Sequence, residues 1–341
     1  MRIYEADENT EGMKVLTFVS RLLPKAPGSL IYRCIRQKKI KVNKKRTEAG
    51  YRLKAGDAVS VWLDDERLRE LSGEGDGAEL SSASPADRNS HESEEEYGLY
   101  VRIYRDLKDR IPVISEDRDI IVFDKPAGLL SQSAVYGDEN LNSFLIGLLL
   151  ERGETGPELL RTVRPAVMSR LDRNTTGLVL CGKTISGEQY LARALRDRSL
   201  KKYYLAAVHG ITRLSGSEEA WLLKDRKENR VRVSGKPFKT GGYRISTGFE
   251  RISADSEKDI SLLKVELKTG RPHQIRAHMA FLGHPVLGDP KYGDRERDRK
   301  LLKGDSRLYL HSYIEELPDG RKLKTEVPER FLTLFEETGE L

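Results

Sequence analysis

From Leu71 to Ser93 the chain offers almost no large apolar residue; Gly, Ser, Asp and Glu dominate, and past Leu71 itself Leu80 stands alone among them. A segment of that composition cannot bury enough surface to offset the entropy of ordering it. It reads as part of a flexible acidic linker over residues 66–110, with an acidic mimic of nucleic acid as the functional alternative. The 341 residues are thereby divided into two stretches, 12–65 and 111–335, each of which must build its own core.

The division also sorts the charge. Residues 66–98 hold ten acids and three bases, so the chain's net +6 leaves +13 on the remainder. Such a surplus favours a polyanionic partner, because Lys and Arg that neutralise phosphates release counterions. No apolar run approaches the roughly 18 residues that span a bilayer; Ser143 to Leu150 is about the longest. The acidic opening Met1-Arg2-Ile3-Tyr4-Glu5-Ala6-Asp7-Glu8 lacks the apolar centre of a signal peptide. Cys34 and Cys181 match no metal spacing and read as two thiols in a reducing cytosol. A cytoplasmic protein with no membrane partner is expected.

Between Lys14 and Lys54 stand thirteen Lys or Arg and one acid, Glu48. Val15, Leu16, Val19 and Leu22 have helical spacing, and Lys25-Ala26-Pro27-Gly28 interrupts them. Ser29 would cap a second helix with Leu30, Ile31, Cys34 and Ile35 on its buried stripe, turning Arg33 and Arg36 outward. Ile40-Lys41-Val42 reads as a strand, Asn43-Lys44 as a turn, and Val59, Val61 and Leu63 as a closing strand. The segments Ser29 to Arg33, Ile40 to Asn43 and Tyr51 to Asp57 resemble the S-four-like RNA-binding module. The resemblance covers Gly12 to Leu63. It implies a basic RNA-contacting face, here Arg33, Arg36, Lys38, Lys39, Lys44, Lys45 and Arg46. A helix-turn-helix DNA reader is the alternative, against which the Ile40–Asn43 strand argues.

In the second stretch, Ile120 to Phe123, Leu178 to Leu180, Tyr203 to Val208 and the alternation Leu263, Val265, Leu267 read as strands. Ser186 is expected to cap a helix through Ala192 and Leu195, and Pro272 to open another. Strands mixed with helices fit an α+β domain around a mixed, mostly antiparallel sheet.

Four motifs in this stretch fall in the order of one family. Ser169-Arg170-Leu171-Asp172-Arg173-Asn174-Thr175-Thr176-Gly177-Leu178 resembles the signature of RluA-type pseudouridine synthases. Lys202-Tyr203-Tyr204-Leu205-Ala206 follows, then Leu267-Lys268-Thr269-Gly270-Arg271-Pro272-His273-Gln274-Ile275-Arg276-Ala277-His278, trailed by Gly283 to Asp289. Asp124-Lys125-Pro126-Ala127-Gly128-Leu129 is a weaker fourth. Ser169 stands where the family usually has His. With the N-terminal module, the layout is most similar to the RluC and RluD branch, which modifies large-subunit (23S-type) ribosomal RNA.

The resemblance implies Asp172 as catalytic carboxylate, Arg276 as its ion-pair partner, Arg170 in the gap a flipped base leaves, and Tyr204 on the face of the flipped uridine. The chemistry suits those types. A carboxylate can attack the anomeric carbon, remove a ribose proton or stabilise developing positive charge. A guanidinium aims it through paired hydrogen bonds. Read as residues alone, Asp172 could cap its own turn, and Arg276 or Arg271 could bind phosphate. Arg271 stays open as a second candidate for the ion pair and as an RNA contact. Tyr203, on the opposite strand face, reads as core.

No metal or cofactor is expected, since isomerising uridine needs no redox change or external group. His273, His278 and His284 raise a metal reading, but no carboxylate stands at suitable spacing. A monomer acting on RNA is expected. The rivals are a transfer-RNA enzyme of the same chemistry and a non-catalytic ribosome-assembly protein, which would not need Asp172, Tyr204 and Arg276 together.

Overall fold

The structure, a computed structural model, describes residues 1–7, 10–72, 94–133, 137–160, 162–225, 228, 230–305 and 307–336. The N-terminal unit runs β1 (Arg2–Glu5), α1 (Val15–Leu22), α2 (Gly28–Arg36), β2 (Ile40–Val42), β3 (Lys45–Arg46), β4 (Ala58–Val61) and α3 (Asp65–Ser72). Its sheet has the order β1-β4-β2-β3, all antiparallel. Val15, Phe18 and Val19 of α1 and Ile31, Cys34 and Ile35 of α2 fill its core. Helix α2 begins after Pro27 with no side-chain cap, so the expectation of Ser29 as cap was wrong; the fixed proline backbone starts the turn instead.

Asn43 and Lys44 both take positive φ between β2 and β3. That is the conformation a two-residue hairpin loop demands. The Asn43 side chain holds the loop, donating to Asp57 Oδ1 at 2.7 Å and accepting from Ala58 N–H at 2.9 Å. Lys44, Lys45 and Arg46 are thereby presented at the hairpin, and with Arg33, Arg36, Lys38 and Lys39 all seven are exposed.

The second unit comprises α4 (Glu94–Leu107), β5 (Val113–Glu116), β6 (Ile120–Lys125), α5 (Leu141–Glu151), α6 (Pro157–Leu160), β7 (Ala166–Val167), β8 (Thr176–Gly182), α7 (Ile185–Arg196) and β9 (Lys201–His209). It continues with β10 (Ser215–Asp225), β11 (Arg230–Ser234), β12 (Tyr243–Asp255), β13 (Ile260–Leu267), α8 (Gln274–Phe281), α9 (Arg295–Leu301), β14 (Leu310–Glu316), β15 (Lys322–Lys324) and α10 (Glu329–Phe335). The sheet order is β11-β10-β12-β13-β9-β14-β8-β6-β5, with β15 on β14 and β7 on β8. Every pairing is antiparallel except β14 with β8. The fold is α+β around a mixed, mostly antiparallel sheet.

That parallel pair is unusually close. Gly177 has φ +108°, and a Cβ there would run into the backbone of Ser312 on β14. Only glycine lets β8 leave the Asp172 loop in this way.

The span 66–110 is not a linker throughout. Helix α3 sends Leu68 and Leu71 into the N-terminal core. Helix α4 lays Ile103 and Leu107 in the main core, with Tyr104 and Phe144 rings 5.4 Å apart. Composition averaged over the span hid the two amphipathic ends; residues 73–93 lie outside the described residues. Helix α7 is capped by Thr184, whose hydroxyl accepts from Gly187 N–H, and not by Ser186.

The two units touch. Val163 and Ile185 of the second unit are buried in the N-terminal core cluster. Arg21 donates to Thr162 O, Arg52 to Gln189 Oε1 at 3.3 Å, and Gln189 Nε2 to Gly12 O at 3.3 Å.

Candidate active site

Asp172 lies in the loop that enters β8, and the loop is secured from beneath. Lys125, fully buried at the end of β6, donates to the carbonyls of Pro126 and Leu129 at 2.9 Å and of Arg173 at 3.1 Å. Burial pulls this amine down to about 7, against the opposing pull of Asp172 and Asp124. Ser131 Oγ accepts from Leu171 N–H at 3.0 Å and donates to Leu171 O at 2.9 Å. Gly128 and Arg173 exchange two further hydrogen bonds, Gly128 N–H to Arg173 O and Arg173 Nε to Gly128 O, both 2.9 Å. Ser169 is buried, and its Oγ accepts from Leu180 N–H at 2.8 Å. A hydroxyl thus ties the motif to β8 without an imidazole.

Across the cleft, α8 supplies Arg276. Its Nη1 donates to Asp172 Oδ2 at 2.8 Å, while Nε and Nη2 make a paired contact with Asp289, each at 2.7 Å. Burial works against this cation, but the hydrogen bonds and charge of Asp289, then Asp172, outweigh it and raise its pKa above the ordinary arginine value. Asp289 is likewise held below the usual carboxylate range. Burial opposes this, and Arg276 with the N–H groups of Lys291 and Tyr292 prevails. Its turn depends on Gly288, at φ +68°, where any Cβ would strike the Arg307 carbonyl.

His273 precedes α8 in the left-handed region (φ 54°). Its Nδ1 lies 2.8 Å from Tyr292 Oη, and its Nε2 3.9 Å from Asp172 Oδ2. Burial pulls this imidazole below its usual range, although Asp172 pulls the other way. His278 bonds Thr247 Oγ1 and His284 the carbonyl of His209; the three histidines do not converge. Among the described residues no group of three or more His, Cys, Asp or Glu is arranged to hold a metal.

Tyr204, on β9, is 5% exposed and lines the cleft. Burial, then the charge of Glu315, pushes its phenol well above the usual range. Tyr203 faces the other side half-buried, with Lys264 Nζ 5.0 Å from its ring centre. The expectation that it belongs to the core was wrong, because that face of β9 is only partly covered. Arg170 is exposed on the cleft wall. Arg271 is exposed too, its guanidinium 4.0 Å over the Tyr243 ring; Arg276, not Arg271, pairs with Asp172. The cleft measures about 820 Å³, within the roughly 300–1,000 Å³ of small-ligand sites.

Residues 119–281 match the RNA pseudouridylate synthase family, and residues 13–59 the S4 domain. A ribosomal large subunit pseudouridine synthase C from Vibrio parahaemolyticus is 31% identical, aligned over 92% of this chain and 87% of the relative. The protein of that name from Escherichia coli K12 is 33% identical over 90% of this chain and 85% of its own. The chain belongs to the RNA pseudouridine synthase family. The solved structure of human RNA pseudouridylate synthase domain containing 4 shares the fold, with a TM-score of 0.56 at 20% identity, covering 70% of this chain and 97% of that one.

For this pseudouridine synthase, Asp172, Arg276, Tyr204, Arg170 and Arg271 all line one cleft. The seven bases of the S4 domain lie on its own exposed surface. Sequence reasoning assigned no role to Asp289, Lys125, Ser131 or Tyr292. The one sequence clue was that Asp289 and Lys125 sit inside the family-like motifs; nothing local shows that each reaches residues elsewhere in the chain.

Proposed function

We propose that this enzyme isomerises specific uridines to pseudouridine in large-subunit ribosomal RNA, with Asp172 as the reacting carboxylate. The observation that carries this reading is a gradient of exposure along one ion-pair chain. The Asp172 side chain is 25% exposed, Arg276 6% and Asp289 0%. The first carboxylate is open to a ligand while the other two groups hold it in place. A carboxylate kept only for folding would have no reason to face an open cleft.

The reaction breaks N1–C1′ and forms C5–C1′; C5 loses a proton and N1 gains one, so nothing is oxidised. Asp172 either bonds to C1′ or takes a ribose proton. A stacked uridine cannot reach it and must be flipped out or single-stranded. Arg170, at the lip, suits the vacated stack, and the neutral Tyr204 ring suits the face of the base. Arg271 over Tyr243 offers a cation to the neighbouring backbone. The ribosomal substrate is supported by the names of the relatives and by the basic S4 surface. The same reading has the enzyme acting as a monomer in the cytoplasm. Among the described residues no helix is long and apolar enough to cross a membrane.

The test is pseudouridine mapping of ribosomal and transfer RNA from cells with the gene, without it, and with Asp172→Asn in its place. Discrete sites in large-subunit RNA should vanish in both altered strains, while the Asn protein folds and binds RNA as before. Sites lost only from transfer RNA would move the substrate. Full modification by Asp172→Asn would remove Asp172 from the chemistry.

A further inference from the structure

Behind Tyr204 lies a carboxylate that the isomerisation chemistry of Asp172 does not use. Glu315, on β14, is 0% exposed, and neither of its oxygens accepts a hydrogen bond. Among the described residues its one ion-pair partner is Lys202, directly opposite it on β9, with Nζ 3.7 Å from Oε1; burial pushes the carboxyl above its ordinary range and Lys202 pulls it back down. A bare buried carboxylate is costly, and a volume-matched apolar pair at positions 315 and 202 would normally serve the two strands better. The adjacent pair shows the contrast: Glu316 opposite Lys201 at 3.8 Å is an ordinary surface pair, 32% and 58% exposed.

Lys202 is 13% exposed, and what remains open faces the cleft, whose wall it shares with Tyr204 two residues on. On β9, positions two apart share a face. The carboxylate therefore lies behind an ammonium that fronts on the place where a flipped base would stack. The other titratable groups near Glu315 are the Tyr204 phenol and the Cys181 thiol, both of which its charge pushes upward; Asp172 acts on the same phenol.

We propose that Glu315 is a positioning residue that fixes the Lys202 ammonium in the cleft, where it offsets the negative charge uracil acquires on leaving C1′. The inference rests on the uridine-isomerising function proposed for Asp172. When N1–C1′ breaks, the electron pair stays on uracil and spreads to its carbonyl oxygens. The pair returns when C5–C1′ forms, C5 then releases its proton, and N1 takes one up. Lys202 keeps its protons throughout and acts by charge alone, in a site partly shielded from water where charge interactions are strong.

Single-turnover rates at saturating enzyme, on an RNA the wild type converts, test this with Glu315→Gln, Lys202→Met, the Gln/Met double variant and the Leu/Met double variant. Failure of the wild type on every RNA would sink the parent function; the variants bear on Glu315 and Lys202 alone. Glu315→Gln should slow the reaction about 10- to 100-fold, as removal of a partner behind a functional group does. The Glu315→Leu/Lys202→Met pair, in which both charges leave together, should fold at least as stably as wild type yet be as slow as Lys202→Met, which separates charge placement from folding. Lys202→Met should be the slowest single variant, and the Gln/Met variant should equal it. A wild-type rate in Glu315→Gln, or multiplying effects in the Gln/Met variant, would overturn the assignment.

Discussion

On the S4 domain, Arg33, Arg36 and Lys39 stand exposed on a helix and the turn after it. At the cleft, Arg276 is 5% exposed and spends three donors on two carboxylates. The residue types are alike and the uses opposite. An exposed cation in high dielectric contributes little to folding and remains available to a phosphate. A buried one must be paired, and once paired it can hold an anion in one geometry. Charge number is what matters on the first surface, and charge placement in the second.

Arg276→Ala should break that contrast most severely. It removes the cation from Asp172 and leaves Asp289 buried without its counter-ion. Turnover should fall on the order of 10²- to 10³-fold, and unfolding free energy by roughly 3–5 kcal/mol, read by single-turnover kinetics and urea titration. Arg276→Lys keeps a charge but not the planar fork, so partial activity should return. Arg271→Ala should mainly weaken RNA binding. Should Arg271→Ala lose chemistry while Arg276→Ala keeps it, the pairing is not what orients the reaction.

Neutralising Arg33, Arg36 and Lys39 to Gln should do the reverse. Saturated turnover and stability should hold, while affinity for structured RNA falls. The slope of log K against log salt should shrink by about 0.7–0.9 for each phosphate no longer neutralised. Substitution sharpens the question better than deleting residues 1–65, since deletion would bare Val163 and Ile185. An unchanged salt slope would mean this face does not meet phosphate.

The smallest effect belongs to Lys125, a buried cation held by carbonyls alone. Its folded pKa is depressed to about 7 from 10.5. Over that window the unfolded chain binds the extra proton, so this group makes stability rise as pH goes from about 7 toward 10.5. Denaturant midpoints at pH 7 and 9 should show that gain in the wild type and lose this part of it in Lys125→Met. An equal gain in both proteins would place the titration elsewhere.

Much of the molecule was legible along the chain. Helix α2 and strands β2, β6, β8, β9 and β13 follow from apolar spacing, because burial of one face imposes a period. The Asp172 and Arg276 motifs were legible because the groups that line the cleft fall in short contiguous runs. The ends of the acidic span were misread: Leu68, Leu71, Ile103 and Leu107 are few and set among charges, and only their partners in two different cores make them helix-forming. Tyr203 was misread for a related reason, since alternation gives the face of a strand but not what covers it.

Sequence by itself determined the division into a basic small module and a larger α+β domain, and the identities of the groups in the cleft. Those properties depend on composition and local period, which act between near neighbours in the chain. Tertiary structure decided that Arg276 bridges Asp172 and Asp289, that Lys125 anchors Arg173, and that Glu315 stands behind Lys202. Each of these joins residues distant in sequence, by pairings set by sheet register and the turns at Gly177 and Gly288. A buried charge takes its function from the partners within reach, and reach is a property of the fold.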